Sequence, residues 1–203
     1  MKVLLTGFEP FGGYTINPSQ LLIQALPDHY LGMDLVKQIL PVDHQQGPQK
    51  MLALLRSHQP DAVIAFGLAS GRVQISLERV ALNLLDFPIA DNAGVIVENQ
   101  PIVPGGPAAY FSTLPLLAMQ AALKAEEISA EFSLSAGAYL CNQVFYTLMH
   151  EIVSQDLNTQ AGFVHLPDLP EQTAQASRPV PSMSLEVQIQ AAHILVAQLG
   201  SSN

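Results

Sequence analysis

The chain has 203 residues, only 12% of them charged, a single cysteine and a formal net charge of -9. That length suits one α/β unit with a sizeable core, and no Gly/Ser-rich or low-complexity linker interrupts it, so residues 1–203 are expected to form a single domain. The acidic balance without a Lys/Arg cluster argues against a nucleic-acid partner, and one cysteine excludes an internal disulfide and multi-thiolate zinc sites.

The opening run KVLLTGF is apolar and stops at turn residues, so it reads as a buried first strand. It is too short for a signal peptide or membrane span, which leads to the expectation of a cytoplasmic protein with no membrane partner. NPSQLLIQAL has the polar start and apolar spacing of a helix. LVKQILPV and DAVIAFG read as further strands, with a helix between them that carries Met51, Leu54 and Leu55 on one face. A β-α-β-α-β order implies a largely parallel, twisted sheet with helices on both sides.

In GRVQISLERVALNLLDF, Val73, Ile75 and Leu77 alternate in one phase and Val80, Leu82 and Leu84 in the other. The slip falls at Glu78 and Arg79, where a bulge or bend is expected. STLPLLAMQAALKAEE reads as a helix and ISAEFSLS as a strand. Leu140, Val144, Leu148 and Ile152 then recur every fourth residue, marking an amphipathic helix with Cys141 in its first turn. The strand GFVHLP brings His165 to its carboxyl end, and a last helix begins near PSMSLEV.

Functional groups of open α/β sheets gather beyond the carboxyl ends of the strands, where helix N-termini also lie, so Cys141 and His165 are expected to meet there. The helix macrodipole would favour a thiolate at Cys141. His29, His44, His58 and His193 stand in contexts that suggest solvated side chains, and His150 lies at the far end of the cysteine helix. A buried carboxylate should orient the imidazole. Glu78, at the slip in an apolar strand, is the first choice; Asp86, Asp91 and Asp168 are rivals, and an ion pair of Glu78 with Arg79 or another cation is the plain structural alternative. Gly7, Gly12 and Gly13 let the first loop turn and expose Phe8 and Phe11, which could line a small apolar pocket. GFEPFGG lacks the Lys and Ser/Thr of a phosphate loop, and no histidine pair has metalloprotease spacing, so neither a nucleotide cofactor nor a metal is expected.

LLTGFEPFGG, NPS, GR followed by ISLERVALN, PIVPGGPAAYFSTLP, AGAYLCN and FVHLP stand in this order along the chain. Together they resemble pyroglutamyl peptidase type I, the pyrrolidone-carboxylate peptidases. The resemblance implies a three-layer α/β/α sandwich, a metal-independent cysteine peptidase, commonly tetrameric, that removes N-terminal pyroglutamate from peptides. It implies Glu78, Cys141 and His165 as catalytic residues and Phe8 and Phe11 as walls for the pyrrolidone ring. Asn17, Tyr139 and Asn142, within the same motifs, are expected to contact substrate. Two departures stand out: DFPIADN places Pro88 where the family commonly has an arginine, and GLASGR has Leu68 where some members have glutamine. Those two positions leave open a related amidase of altered acyl specificity, and a non-catalytic pyroglutamyl-binding protein is the remaining alternative. The low charged fraction suggests that part of the apolar surface lies at contacts between subunits.

Overall fold

A computed structural model describes residues 1–174 and 179–200. Strand β1 (Lys2–Phe8) is almost wholly buried, the pattern of an interior strand covered on both faces. Asn17 caps helix α1 (Pro18–Ala25), accepting the Ser19 N–H, and Pro18 takes the first helical position, where a missing N–H costs nothing. Next come β2 (His29–Tyr30), β3 (Met33–Leu40), α2 (Gln46–His58) and the buried β4 (Ala62–Leu68). Four short strands follow, β5 (Ile75–Glu78), β6 (Val80–Leu82), β7 (Leu85–Phe87) and β8 (Val97–Gln100), then β9 (Ala109–Phe111), α3 (Leu116–Ala125) and β10 (Ala130–Ser133). The chain closes with α4 (Leu140–Ser154), β11 (Gln160–Leu166), the single turn α5 (Pro170–Thr173) and α6 (Leu185–Leu199).

Seven strands form the central sheet in the order β10-β5-β11-β4-β1-β3-β2. Only the β5/β11 and β2/β3 pairs are antiparallel. Alternation along the strands divides the core in two. Val3, Leu5, Ile64, Phe66 and Val164 pack under α1, α3 and α6, whereas Leu4, Val63, Ala65 and Phe163 pack under α2 and α4. This is the three-layer α/β/α sandwich.

The phase slip at Glu78 and Arg79 proves to be more than a bulge. Here the chain leaves the central sheet: β5 ends at Glu78, and β6 pairs with β9 in a separate two-stranded sheet. Leu85–Phe87 pairs with β8 in another. Alternation restarts in the opposite phase because a different surface is being covered.

Candidate active site

The register of three strands places the chemistry. On β11, His165 lies two residues from Phe163 and so shares its face, the one covered by α4. Gly67 on β4 is the ladder partner of His165, while on β5 Glu78 stands opposite Phe163 and Ser76 opposite His165. Glu78 is therefore the diagonal neighbour of the imidazole, within reach of a long side chain. Its Oε1 lies 2.7 Å from His165 Nδ1. A carboxylate oxygen can only accept, so Nδ1 carries the proton and donates, which leaves Nε2 as a base.

Cys141 enters from α4. Tyr139 is the N-cap residue but offers no side-chain cap, so the first-turn amides have no capping acceptor there. The half-buried thiol rests against Gly67: a Cβ built on that glycine would come within 2.8 Å of Cys141 Sγ and 2.8 Å of Phe163 Cζ. Phe163 in turn packs against the imidazole, with ring centroids 4.8 Å apart. The missing side chain at Gly67 thus makes room for the sulfur directly across the ladder from His165.

Burial pushes the Cys141 thiol up to about 12, the Glu78 carboxylate adds to the rise, and Arg72 opposes it. Burial therefore works against the pull that the helix N-terminus exerts toward a thiolate. Burial likewise lowers the pKa of His165, its contact with Glu78 works against that fall, and Arg72 adds to it.

Glu78 is wholly buried, and its cation is Arg72. Arg72 Nη1 donates to the same Oε1 at 2.8 Å, while Nη2 donates to the Ser135 carbonyl at 3.0 Å. Arg79 instead lies over the Phe132 ring, 5.6 Å from its centroid. The ion pair and the contact with histidine, framed as alternatives in the sequence, coexist on one oxygen. Of the rival carboxylates, Asp91 is engaged by His44 and by the Ala93 and Val95 N–H groups, Asp168 accepts from Gly71 N–H, and Asp86 is exposed.

Beside the thiol lies a slot walled by Phe8, Phe11, Asn17, Val42, Leu68 and Tyr139. Its free volume is only ≈ 10 Å³, about what one water needs, so a five-membered ring enters only if the walls part. Phe11 and Tyr139 pack ring to ring at 5.8 Å across it. Phe8, Phe11 and Tyr139 thus take positions compatible with their expected role. Asn17 reaches the slot too, although its amide is spent on Ser19 and the Glu9 carbonyl.

Asn142 is not among the residues that wall this slot. It is fully buried and binds Leu82 N–H and the Leu82 and Leu84 carbonyls, tying α4 to β6 instead of facing the slot. Pro88 is exposed, and the cation beside Glu78 comes from the loop after β4. Two other histidines also depart from expectation. His44 is paired with Asp91 at 2.8 Å, and His193 packs against Tyr30 with tilted rings 4.6 Å apart and with Nε2 buried and unpartnered among the described residues.

Two larger hollows, ≈ 620 and ≈ 580 Å³, lie away from these residues. The first sits by Arg56 and Glu151 near the opposite ends of β4 and β11, and the second beside Phe111 and Phe132; neither gathers a nucleophile and a base. Among the described residues, Asp43, His44 and Asp91 are close enough together to share a cation. Their atoms are taken up by backbone and side-chain donors in the turn before α2 and the loop around Asp91.

The profile of the pyroglutamyl peptidase family matches residues 1–200. A pyrrolidone-carboxylate peptidase from Thermococcus onnurineus is 43% identical over 196 residues, which cover 97% of each chain. A mutant pyrrolidone carboxyl peptidase from Pyrococcus furiosus superposes with a TM-score of 0.96 at 39% identity, covering 99% of both chains. The pyroglutamyl peptidase I of Bacillus amyloliquefaciens gives 0.93 at 40% identity, over 97% of this chain and 93% of that one. These likenesses favour neither an altered amidase nor a binding protein. With matching sequence and architecture over nearly its whole length, the chain belongs to the pyroglutamyl peptidase family.

Proposed function

We propose that this protein is a cysteine peptidase that hydrolyses the bond after an N-terminal pyroglutamyl residue, with Cys141 as nucleophile, His165 as general base and acid, and Glu78 as the orienting carboxylate. The observation that carries this assignment is the juxtaposition across the sheet: the Cys141 sulfur rests on Gly67, the ladder partner of His165, whose Nδ1 is held by Glu78.

His165 Nε2 takes the thiol proton as the sulfur attacks the acyl carbon, so the thiolate forms in the act of reaction. That timing suits a thiol held up to about 12. The oxyanion lies toward the uncapped first turn of α4, whose amides supply donors. Imidazolium, stabilised by Glu78, gives its proton to the departing amine and the thioester forms. A water deprotonated by the same nitrogen then attacks the thioester, releasing pyroglutamate and restoring the thiol. A neutral lactam carries no charge to pair, and an apolar slot of phenylalanines with a leucine suits it.

Cleavage of a pyroglutamyl amide with a chromogenic leaving group, with reductant and chelator present, tests the reading. Wild type should turn over and Cys141→Ala should not, with unchanged circular dichroism. Turnover by the variant would remove Cys141 from the mechanism.

We infer further that the whole chain acts as one domain and self-associates, in line with the family's common tetramer. Phe111 and Leu117, exposed at 70% and 78%, offer an apolar patch for such a contact. Light scattering on the purified protein would decide this. A nucleophilic thiol works best where reductants preserve it, which favours the cytoplasm. Among the described residues no helix is long and apolar enough to cross a membrane.

A further inference from the structure

Arg72 occupies a place that neither an ordinary surface ion pair nor a packing contact accounts for. Glu78 is wholly buried, yet both of its donors, His165 Nδ1 at 2.7 Å and Arg72 Nη1 at 2.8 Å, converge on Oε1, and among the described residues Oε2 has no partner. The direction of that carboxylate, and so of the imidazole it holds, is set by a single oxygen pinned from two sides. Remove Arg72 and a buried anion keeps one donor, free to turn about its last bond.

The guanidinium is itself held. Nη2 donates to the Ser135 carbonyl in the loop leading to Cys141. The neighbouring Gly71 N–H donates to Asp168, a buried carboxylate three residues beyond His165, at 2.9 Å. The turn bearing Arg72 is therefore tied to the segments that deliver all three proposed catalytic groups. Lysine could keep the charge but could not bridge Glu78 and Ser135 with one rigid fork.

We propose that Arg72 is a positioning residue of the reaction: it clamps the Glu78 oxygen that orients His165 and offsets the charge of that carboxylate. The inference rests on the assignment of Glu78, His165 and Cys141 made above. The other charged groups on the elements packed here are Asp168, held by Gly71; Glu131 on β10, accepting from Ser76 Oγ opposite His165; and Arg79, turned onto Phe132. Arg72 is the cation in contact with Glu78, so its loss exposes His165 to an unopposed carboxylate.

The test follows kcat, KM and the pH profile of kcat/KM for wild type, R72Q, R72K and C141A on a chromogenic pyroglutamyl amide. For R72Q, kcat should fall on the order of ten- to a hundredfold with KM little changed, from misaligned groups. Its acid limb should move to higher pH by about one unit, because removal of a nearby cation favours imidazolium. R72K should restore the wild-type limb and part of kcat. A role in packing alone would lower the folded fraction and leave the limb of the molecules that remain folded unmoved. Wild-type kcat in R72Q, or a limb that does not rise, overturns the proposal. Should R72Q fail to fold, R72K decides alone: a several-fold loss of kcat at an unshifted limb supports the clamp, and wild-type kcat overturns it. Activity in C141A would bring down the catalytic assignment itself, whereas a dead C141A beside a wild-type R72Q would bring down only the role of Arg72.

Discussion

The Nδ1 atom of His165 stands 2.7 Å from Oε1 of Glu78 across 87 residues of sequence. The contact exists because β5 runs antiparallel to β11 with Glu78 opposite Phe163, one diagonal step from the histidine. It fixes the tautomer that leaves Nε2 free. Glu78→Gln keeps the shape and removes the charge that stabilises imidazolium. We expect kcat to drop on the order of a thousandfold or more with KM within about twofold. Steady-state kinetics against the folded variant checks this, and a loss confined to KM would contradict it.

Activity and stability should both respond to acid through His165, stability first. Its folded pKa is lowered, first by burial, while the unfolded chain titrates near ~6.5. Above that value both states hold a neutral ring and the stabilisation is complete. As pH falls below it, the unfolded state takes up a proton that the folded state resists, so stability declines until the folded pKa is passed. Urea unfolding at several pH values should show that decline in wild type and a shallower one in His165→Gln. Turnover should hold through most of that window and fall at its lower end, where Nε2 of the folded protein takes up a proton at its lowered pKa.

Gly67→Ala tests the packing of the proposed nucleophile without replacing it. An added methyl would meet Cys141 Sγ and the Phe163 ring, each at 2.8 Å, closer than nonbonded atoms tolerate. Gly67→Ala should therefore push the sulfur away from His165 and lower kcat on the order of a hundredfold, while costing about 1–3 kcal/mol of stability. Thiol alkylation rates, followed alongside kcat, would report the displaced sulfur. An alanine variant with wild-type activity would show that the thiol does not depend on this close approach.

Asn142 should behave as a structural residue despite its place beside the proposed nucleophile. Its amide satisfies one N–H and two carbonyls of the segment 82–84. Asn142→Ala strands those groups and should cost about 2–4 kcal/mol. Thermal unfolding would show a lowered Tm, with KM little affected in the molecules that remain folded. A raised KM at wild-type stability would restore Asn142 to the substrate contacts.

Much of the layout was legible in local pattern. Runs of apolar residues ended by Gly or Pro, and the four-residue recurrence from Leu140 to Ile152, mark strands and helices because burial repeats with the period of the backbone. The same periodicity sets Cys141 in the first turn of α4 and His165 near the end of β11. The slip at Glu78 and Arg79 was visible as well, although its meaning was larger than a bulge.

Partnership between distant side chains was decided only by the tertiary structure. Nothing in the spacing says that Arg72, not Arg79, meets Glu78, or that Asn142 turns toward β6 while Tyr139 faces the slot. Those choices follow from the antiparallel entry of β5 beside β11 and from the loop after β4 folding back over both strand ends. The elevated thiol pKa belongs to the same class: a helix N-terminus can be read from a sequence, but the water lost around Cys141 cannot. Periodicity is a property of a segment, whereas register, desolvation and the sharing of one carboxylate oxygen arise only when segments far apart in the chain are packed together.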